Sequence, residues 1–175
     1  MPLVRSGEAV EDRFVRVADD ARLPDGVPVL VSATRLISDG RDLALRGAPV
    51  GVLWPNDRRV AELAPYLDWL ALVALVFPTF KDGRAYSQAR LLRERYGFGG
   101  ELRATGQVLR DQALFLQRAG FDAFEVTKAA DVTKFAEALK RYSVFYQPTG
   151  DGRVSVRSAR RARGAADTGI PQTVR

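Results

Sequence analysis

The chain contains no cysteine and no histidine. Without cysteine there is no disulfide, no thiol nucleophile, and no thiolate to hold an iron–sulfur cluster or a zinc ion. Without histidine the commonest metal ligand is missing, and so is the side chain best matched to proton transfer at neutral pH. A zinc hydrolase and a Ser-His-Asp hydrolase are thereby excluded. Covalent or acid–base chemistry falls to carboxylates, Lys, Tyr, Ser or Thr. Long hydrophobic runs are also lacking. The longest, Leu70 to Phe77, is far too short to span a bilayer, and Met1 to Glu8 carries no apolar signal core. A cytoplasmic protein without a membrane partner is the expectation. No Walker sequence and no flavin or nicotinamide fingerprint occurs, and Gly97-Phe98-Gly99-Gly100 follows a helical pattern rather than a strand, which makes it a turn. No cofactor is expected.

What is present suits one domain. The chain has 175 residues, of which 46% are hydrophobic, enough for a single core. The formal charge of +6 is unevenly spread. Residues 151–175 hold six arginines against Asp151 and Asp167, a net +4, which leaves +2 for the first 150. The basic stretch Arg157-Ser158-Ala159-Arg160-Arg161-Ala162-Arg163 has no interleaved aromatics for base stacking and no long apolar face. It reads as a solvated extension rather than a nucleic-acid arm. The expected organisation is an N-terminal segment over 1–26 with an edge strand at Arg13 to Val17, an α/β domain over 27–150, and a flexible Arg-rich tail over 151–175.

Apolar periodicity alternates between strand and helix along the central region. Strands are expected over Val29 to Ala33, Val50 to Trp54, Leu72 to Phe77, Glu101 to Thr105 and Asp122 to Val126. Helices are expected over Thr34 to Leu45, from Asn56 or Asp57 through Leu63, from about Ala85 to Tyr96, from Gln107 to Ala119 with Val108, Leu109, Phe115 and Leu116 inward, and over Val132 to Tyr142. Leu72 to Phe77 is apolar on both faces, as at the centre of a parallel sheet. The fold class expected is an open, mostly parallel five-stranded sheet with helices on both faces, a three-layer αβα arrangement.

Two charged loops would then share the rim at the carboxyl ends of the strands, where α/β proteins place ligands. The first runs from Phe77 through Pro78 to Asp82, Gly83 and Arg84; the second from Arg103 through Gly106 to Arg110 and Asp111, with Gln112 next in sequence. Arg84 at the mouth of a helix adds a forked donor to free backbone N–H groups, a cradle suited to an anion. The plainer alternative is that Asp82 caps the helix and Arg84 pairs with a nearby acid. A cation such as Arg110 in a first helical turn opposes the helix dipole, so Asp111, Glu101 or a bound anion should neutralise it. Glu101 and Arg103 alternate with apolar residues and so share one sheet face, where each charge requires a partner. The candidate anion- or partner-binding set is Asp82, Gly83, Arg84, Glu101, Arg103, Gly106, Arg110, Asp111 and Gln112.

The linked run Phe77-Pro78-x-Phe80-x-Asp82-Gly83-Arg84-x-Tyr86-Ser87-x-Ala89-Arg90-Leu91-Leu92-Arg93-Glu94-Arg95, then Gly100-Glu101-Leu102-Arg103-Ala104-x-Gly106-x-Val108-Leu109-Arg110-Asp111-Gln112 and Gly120-Phe121-Asp122-Ala123-Phe124, resembles the bacterial family called domain of unknown function 934. The resemblance covers roughly Val27 to Pro148. It implies a setting in assimilatory sulfite reduction, since members are often encoded beside the sulfite reductase haemoprotein and are described on that ground as oxidoreductases; it carries no catalytic residues. Joined to the missing redox fingerprints, it leads us to expect an accessory protein that binds the sulfite reductase haemoprotein, or an anionic group, through an Arg-rich rim. The alternative is an enzyme or sensor for a small phosphorylated or sulfated metabolite, with Asp82 or Glu101 as general base.

Overall fold

The computed structural model describes residues 2–142, 144–149 and 154–167. In chain order its strands and helices are β1 (Leu3–Arg5), β2 (Glu8–Val10), β3 (Val15–Arg16), β4 (Val29–Ser32), α1 (Ala33–Leu45), β5 (Val50–Trp54), β6 (Leu72–Phe77), α2 (Arg84–Arg90), β7 (Glu101–Gly106), α3 (Ala113–Arg118), β8 (Ala123–Glu125), α4 (Val132–Lys140) and α5 (Val156–Asp167). A 3₁₀ stretch, Val60–Tyr66, stands between β5 and β6, and α2 runs into a wider π turn over Leu91–Arg95. The helix α5 lies inside the segment expected to be a tail; residues 150–153 and 168–175 of that segment lie outside the described residues. Among the described residues no helix is long and apolar enough to cross a membrane.

The five expected strands are present as β4 to β8, and the sheet is larger than five. It has eight strands in the order β2-β1-β8-β7-β6-β5-β4-β3. It is mixed rather than mostly parallel: β3 through β8 pair in parallel, while β1 runs antiparallel to both β8 and β2. The edge strand β3 falls within the expected Arg13 to Val17 segment.

The second correction concerns the layers. From β4 to β8 the strands sit side by side in chain order. Parallel crossovers are right-handed, so a sheet that never reverses its order sends every crossover to the same side. Helices on both faces require a reversal of strand order. Accordingly α1, α2, α3 and α4 bury Leu36, Leu43, Ala85, Ala89, Leu116, Phe135 and Leu139 in one large cluster with Val31, Val52, Val73, Leu75, Ala104 and Phe124 of the strands. The opposite face carries a smaller cluster of Leu30, Leu72 and Ala74 with Phe14 and Leu53. It is covered by the sheet itself, which curls until Arg16 of β3 donates to Glu125 of β8 and Thr105 of β7. The architecture is a curled open sheet with its helices on the outside.

A third expectation fails at α3. After β7 the chain bends at Gly106–Gln107, where Val108 N–H donates to the Gly106 carbonyl, is extended again at Leu109, and makes a short 3₁₀ turn, Arg110–Gln112, before the helix. The helical phase therefore starts later than Gln107. Val108 and Leu116 are buried as expected, but Leu109 is exposed and Phe115 is 70% exposed.

Candidate functional site

β6 and β7 end together, with Phe77 opposite Gly106 in the parallel register. The ladder is closed by Gln107 N–H donating to the Phe77 carbonyl at 2.9 Å. From there the two charged loops leave side by side on the carboxyl rim. Gln112 ties them by donating from Nε2 to the Phe80 carbonyl at 2.8 Å. Their arginines are each held by the acid of their own loop. Asp82 accepts from the Arg84 backbone at 3.2 Å and from its guanidinium at 3.0 Å (Nε) and 2.6 Å (Nη2), with Gly83 as the hinge between them at the start of α2. Arg110 Nε makes a single 3.4 Å contact with Asp111 Oδ1. Both guanidinium groups face solvent, with side chains 57% and 53% exposed.

The electrostatics separate the roles these acids could take. Bonds from the Arg84 guanidinium hold the Asp82 carboxyl well below the usual carboxylate range. Such a group stays ionised and takes up a proton only weakly, which suits a structural anchor better than a general base. The Asn56 side chain, beside Asp82, adds to that depression, while its Nδ2 reaches no acceptor with hydrogen-bond geometry among the described residues. Trp54 Nε1 and Gln88 Oε1 are, like Asn56 Nδ2, buried and without a hydrogen-bond partner among the described residues. Gln88 donates to the carbonyls of Pro55 and Arg58, and Arg58 lies over the Trp54 ring, which places all three unpaired atoms around the turn that follows β5.

Glu101 and Arg103 lie elsewhere, on the concave face of the curled sheet. Arg103 is completely buried. Its guanidinium donates to Asp12 at 2.6 and 3.0 Å, to Glu101 at 2.9 Å and to Glu125 at 3.4 Å, and lies over the Phe14 ring at 5.7 Å. Arg5 adds a bond to Glu101, Arg16 one to Glu125, and the Thr105 hydroxyl donates to Glu125 as well. Three arginines thus meet three carboxylates. The Glu101–Arg103 bond is the pairing that strand alternation suggests. Asp12, Arg16, Arg5 and Glu125 were missed. For Asp12 and Arg16 the signal is their spacing with Phe14, which in an extended segment turns all three to one side. Burial by itself pushes the Asp12 carboxyl up, but the bonds from Arg103 outweigh it and hold the group low. Burial likewise disfavours the Arg103 cation, and its carboxylate partners more than offset that.

Of the nine candidate residues, Asp82, Gly83, Arg84, Gly106, Arg110, Asp111 and Gln112 therefore belong to the rim, and Glu101 and Arg103 to the interior network. Arg110 and Asp111 also border a groove of about 750 Å³ between α3 and α4.

The family model described as bacterial protein of unknown function (DUF934) matches residues 51–157. That span takes in both rim loops, the groove and every helix from α2 to α4. No curated protein matches the chain.

Proposed function

Because the chain belongs to this bacterial family of unknown function, we propose that it serves sulfite reduction in the cytoplasm as a non-redox accessory protein. It binds the acidic surface of the sulfite reductase haemoprotein, or an anionic group held there, through the rim. The observation that carries this reading is the placement of Arg84 and Arg110 on adjoining, mutually bonded loops with both guanidinium groups turned to solvent. Arg110 is the better placed of the two. Its single long contact with an exposed aspartate is easily exchanged for a partner carboxylate, whereas Arg84 is forked onto Asp82. Enzymatic acid–base work is less well supported, since Asp82 is held ionised and Glu101 is bound by Arg5 and Arg103. The test is a titration of the purified haemoprotein with this protein at low and high salt. We expect a salt-sensitive complex that Arg110→Ala weakens about tenfold, the equivalent of about 1.4 kcal/mol, and that Arg84→Ala weakens less. Absence of a complex at low salt overturns the reading.

A second reading, a small-anion site at the same rim, is favoured by Asn56 Nδ2, a buried donor beside Asp82 without an acceptor among the described residues, and by Trp54 Nε1, likewise buried and unpaired at the end of β5. Here sulfite, sulfate or phosphate at a hundredfold excess over its dissociation constant should stabilise the fold by about 2.7 kcal/mol. Asn56→Ala should remove that thermal shift. Unchanged melting with all three anions excludes it.

A further inference from the structure

We propose that the groove between α3 and α4 docks an acidic segment of a partner protein, with the segment's apolar side chains seated against Phe115 and Tyr142. The inference deepens the partner-binding reading above and rests on it to the extent that Arg110 serves both surfaces.

The groove is shaped for a side-chain-bearing segment rather than for a single ion. Its volume of about 750 Å³ is framed by both helices and by the chain that follows α4. Two of its aromatics are turned outward, Phe115 at 70% and Tyr142 at 55% exposure. A third, Phe145, lies under the Arg118 guanidinium at 4.1 Å, so the groove presents aromatic faces and cations together. Apolar residues scattered singly over a surface require no explanation, as with Ile37 and Leu45 on α1. Several aromatics facing one concavity are different, because aromatic anchors in such pockets carry most of the binding energy at interfaces.

Charge selects the occupant. Among the described residues, Arg110, Lys134 and Arg141 line the groove with Arg118 stacked on Phe145, against the acids Asp111 and Glu137. Since the first 150 residues together carry only +2, this surface is locally enriched in cations. Residues 151–175, whose Val154 and Val156 backbone bonds Phe145 at the groove's edge, carry a net +4 and so bring the groove no complementary charge. A second copy would bring the same basic groove. A carboxylate-rich segment with interspersed apolar residues complements both the charge and the aromatic faces.

The experiment uses the full chain and two labelled synthetic peptides. One is built of glutamate with interspersed leucine and tryptophan; the other replaces every glutamate with lysine. Fluorescence anisotropy should show binding of the acidic peptide, weakened by salt, and none of the basic one. Phe115→Ser should weaken it about tenfold or more, as loss of an aromatic anchor does. Because Phe115 is largely exposed, that variant should melt with the parent protein, and Lys134→Glu supplies an independent variant that should also lose the peptide. Equal binding of both peptides, no binding of either, or binding indifferent to Phe115→Ser overturns the proposal. Arg84→Ala separates the two readings, since it lies outside the groove and should keep the peptide while weakening the haemoprotein complex. An intact haemoprotein complex with no peptide binding sinks the groove alone; peptide binding without the complex sinks the rim reading alone.

Discussion

Arg103→Ala should lower the free energy of unfolding by about 3–5 kcal/mol, the cost of removing one member of a buried ion network and leaving its partners uncompensated. The guanidinium is fully buried and bonds three carboxylates at once, those of Asp12, Glu101 and Glu125. Its removal leaves Arg5 and Arg16, which are partly exposed, to balance three acids on a concave apolar surface. Asp12→Asn should cost less, because the Asp12 side chain sits at the wetter margin of the network. Equilibrium urea unfolding measures both. A loss below about 1 kcal/mol for Arg103→Ala, the size typical of exposed pairs, would mean that water replaces the guanidinium and that the network holds little of the fold.

Acidification supplies a second readout with a definite sign. The Asp12 carboxyl is lower in the folded protein than its ordinary value of 3.8. Its ionisation therefore contributes stability above that value, and the contribution is lost as pH falls through the folded value. In Arg103→Ala the guanidinium bonds that lower Asp12 are gone, although the Phe14 N–H and the Arg16 charge remain, and with those bonds goes that part of the acid sensitivity. The stability gap between wild type and variant should narrow as pH drops below about 4. A gap that stays constant to lower pH would assign the loss to packing around Phe14 rather than to charge.

The same network shows how far local sequence reaches. Val50–Trp54 and Leu72–Phe77 are legible to the residue because each is a continuous apolar run rich in Val and Leu and closed by a proline. Leu3–Arg5 and Glu8–Val10 are three residues each, too short for alternation to stand out from chance. Apolar residues on both faces of β6 say only that both faces are covered, and a curled sheet covers one of them without a helix. Strand order decides between those cases, and no local pattern encodes it. Likewise the alternation of Glu101 and Arg103 revealed a charged face in need of partners, while the partners Asp12 and Arg16 come from a segment some ninety residues away that only the curl brings near. Phe115 was misplaced for a local reason: the turn at Arg110–Gln112 shifts the helical phase, and so the aromatic faces the groove.

Gly106→Ala is expected to destabilise the protein by about 3 kcal/mol or more and to break the rim as it does so. Gly106 has φ of +95°, a region that costs an L side chain about 1–2 kcal/mol by itself. Its added Cβ would stand 2.4 Å from the Phe77 carbonyl oxygen and 3.1 Å from the carbonyl carbon. Those atoms are backbone at the end of a central strand, and the same oxygen accepts from Gln107 N–H, so they have no inexpensive way to withdraw. Gly97→Ala is the matched control, with φ of +62° and nothing within 4 Å of the added carbon. It should cost only the conformational part, about 1–2 kcal/mol. The difference between the two variants isolates the close approach of β6 and β7 where the charged loops begin. If the variants are equally destabilised, the strands spread freely at their carboxyl ends. The bond between Gln112 and Phe80 would then not hold Arg84 and Arg110 at a fixed separation. If Gly106→Ala is the costlier and also weakens the proposed haemoprotein complex under conditions where it remains folded, the spacing of the two loops is itself part of the proposed recognition surface.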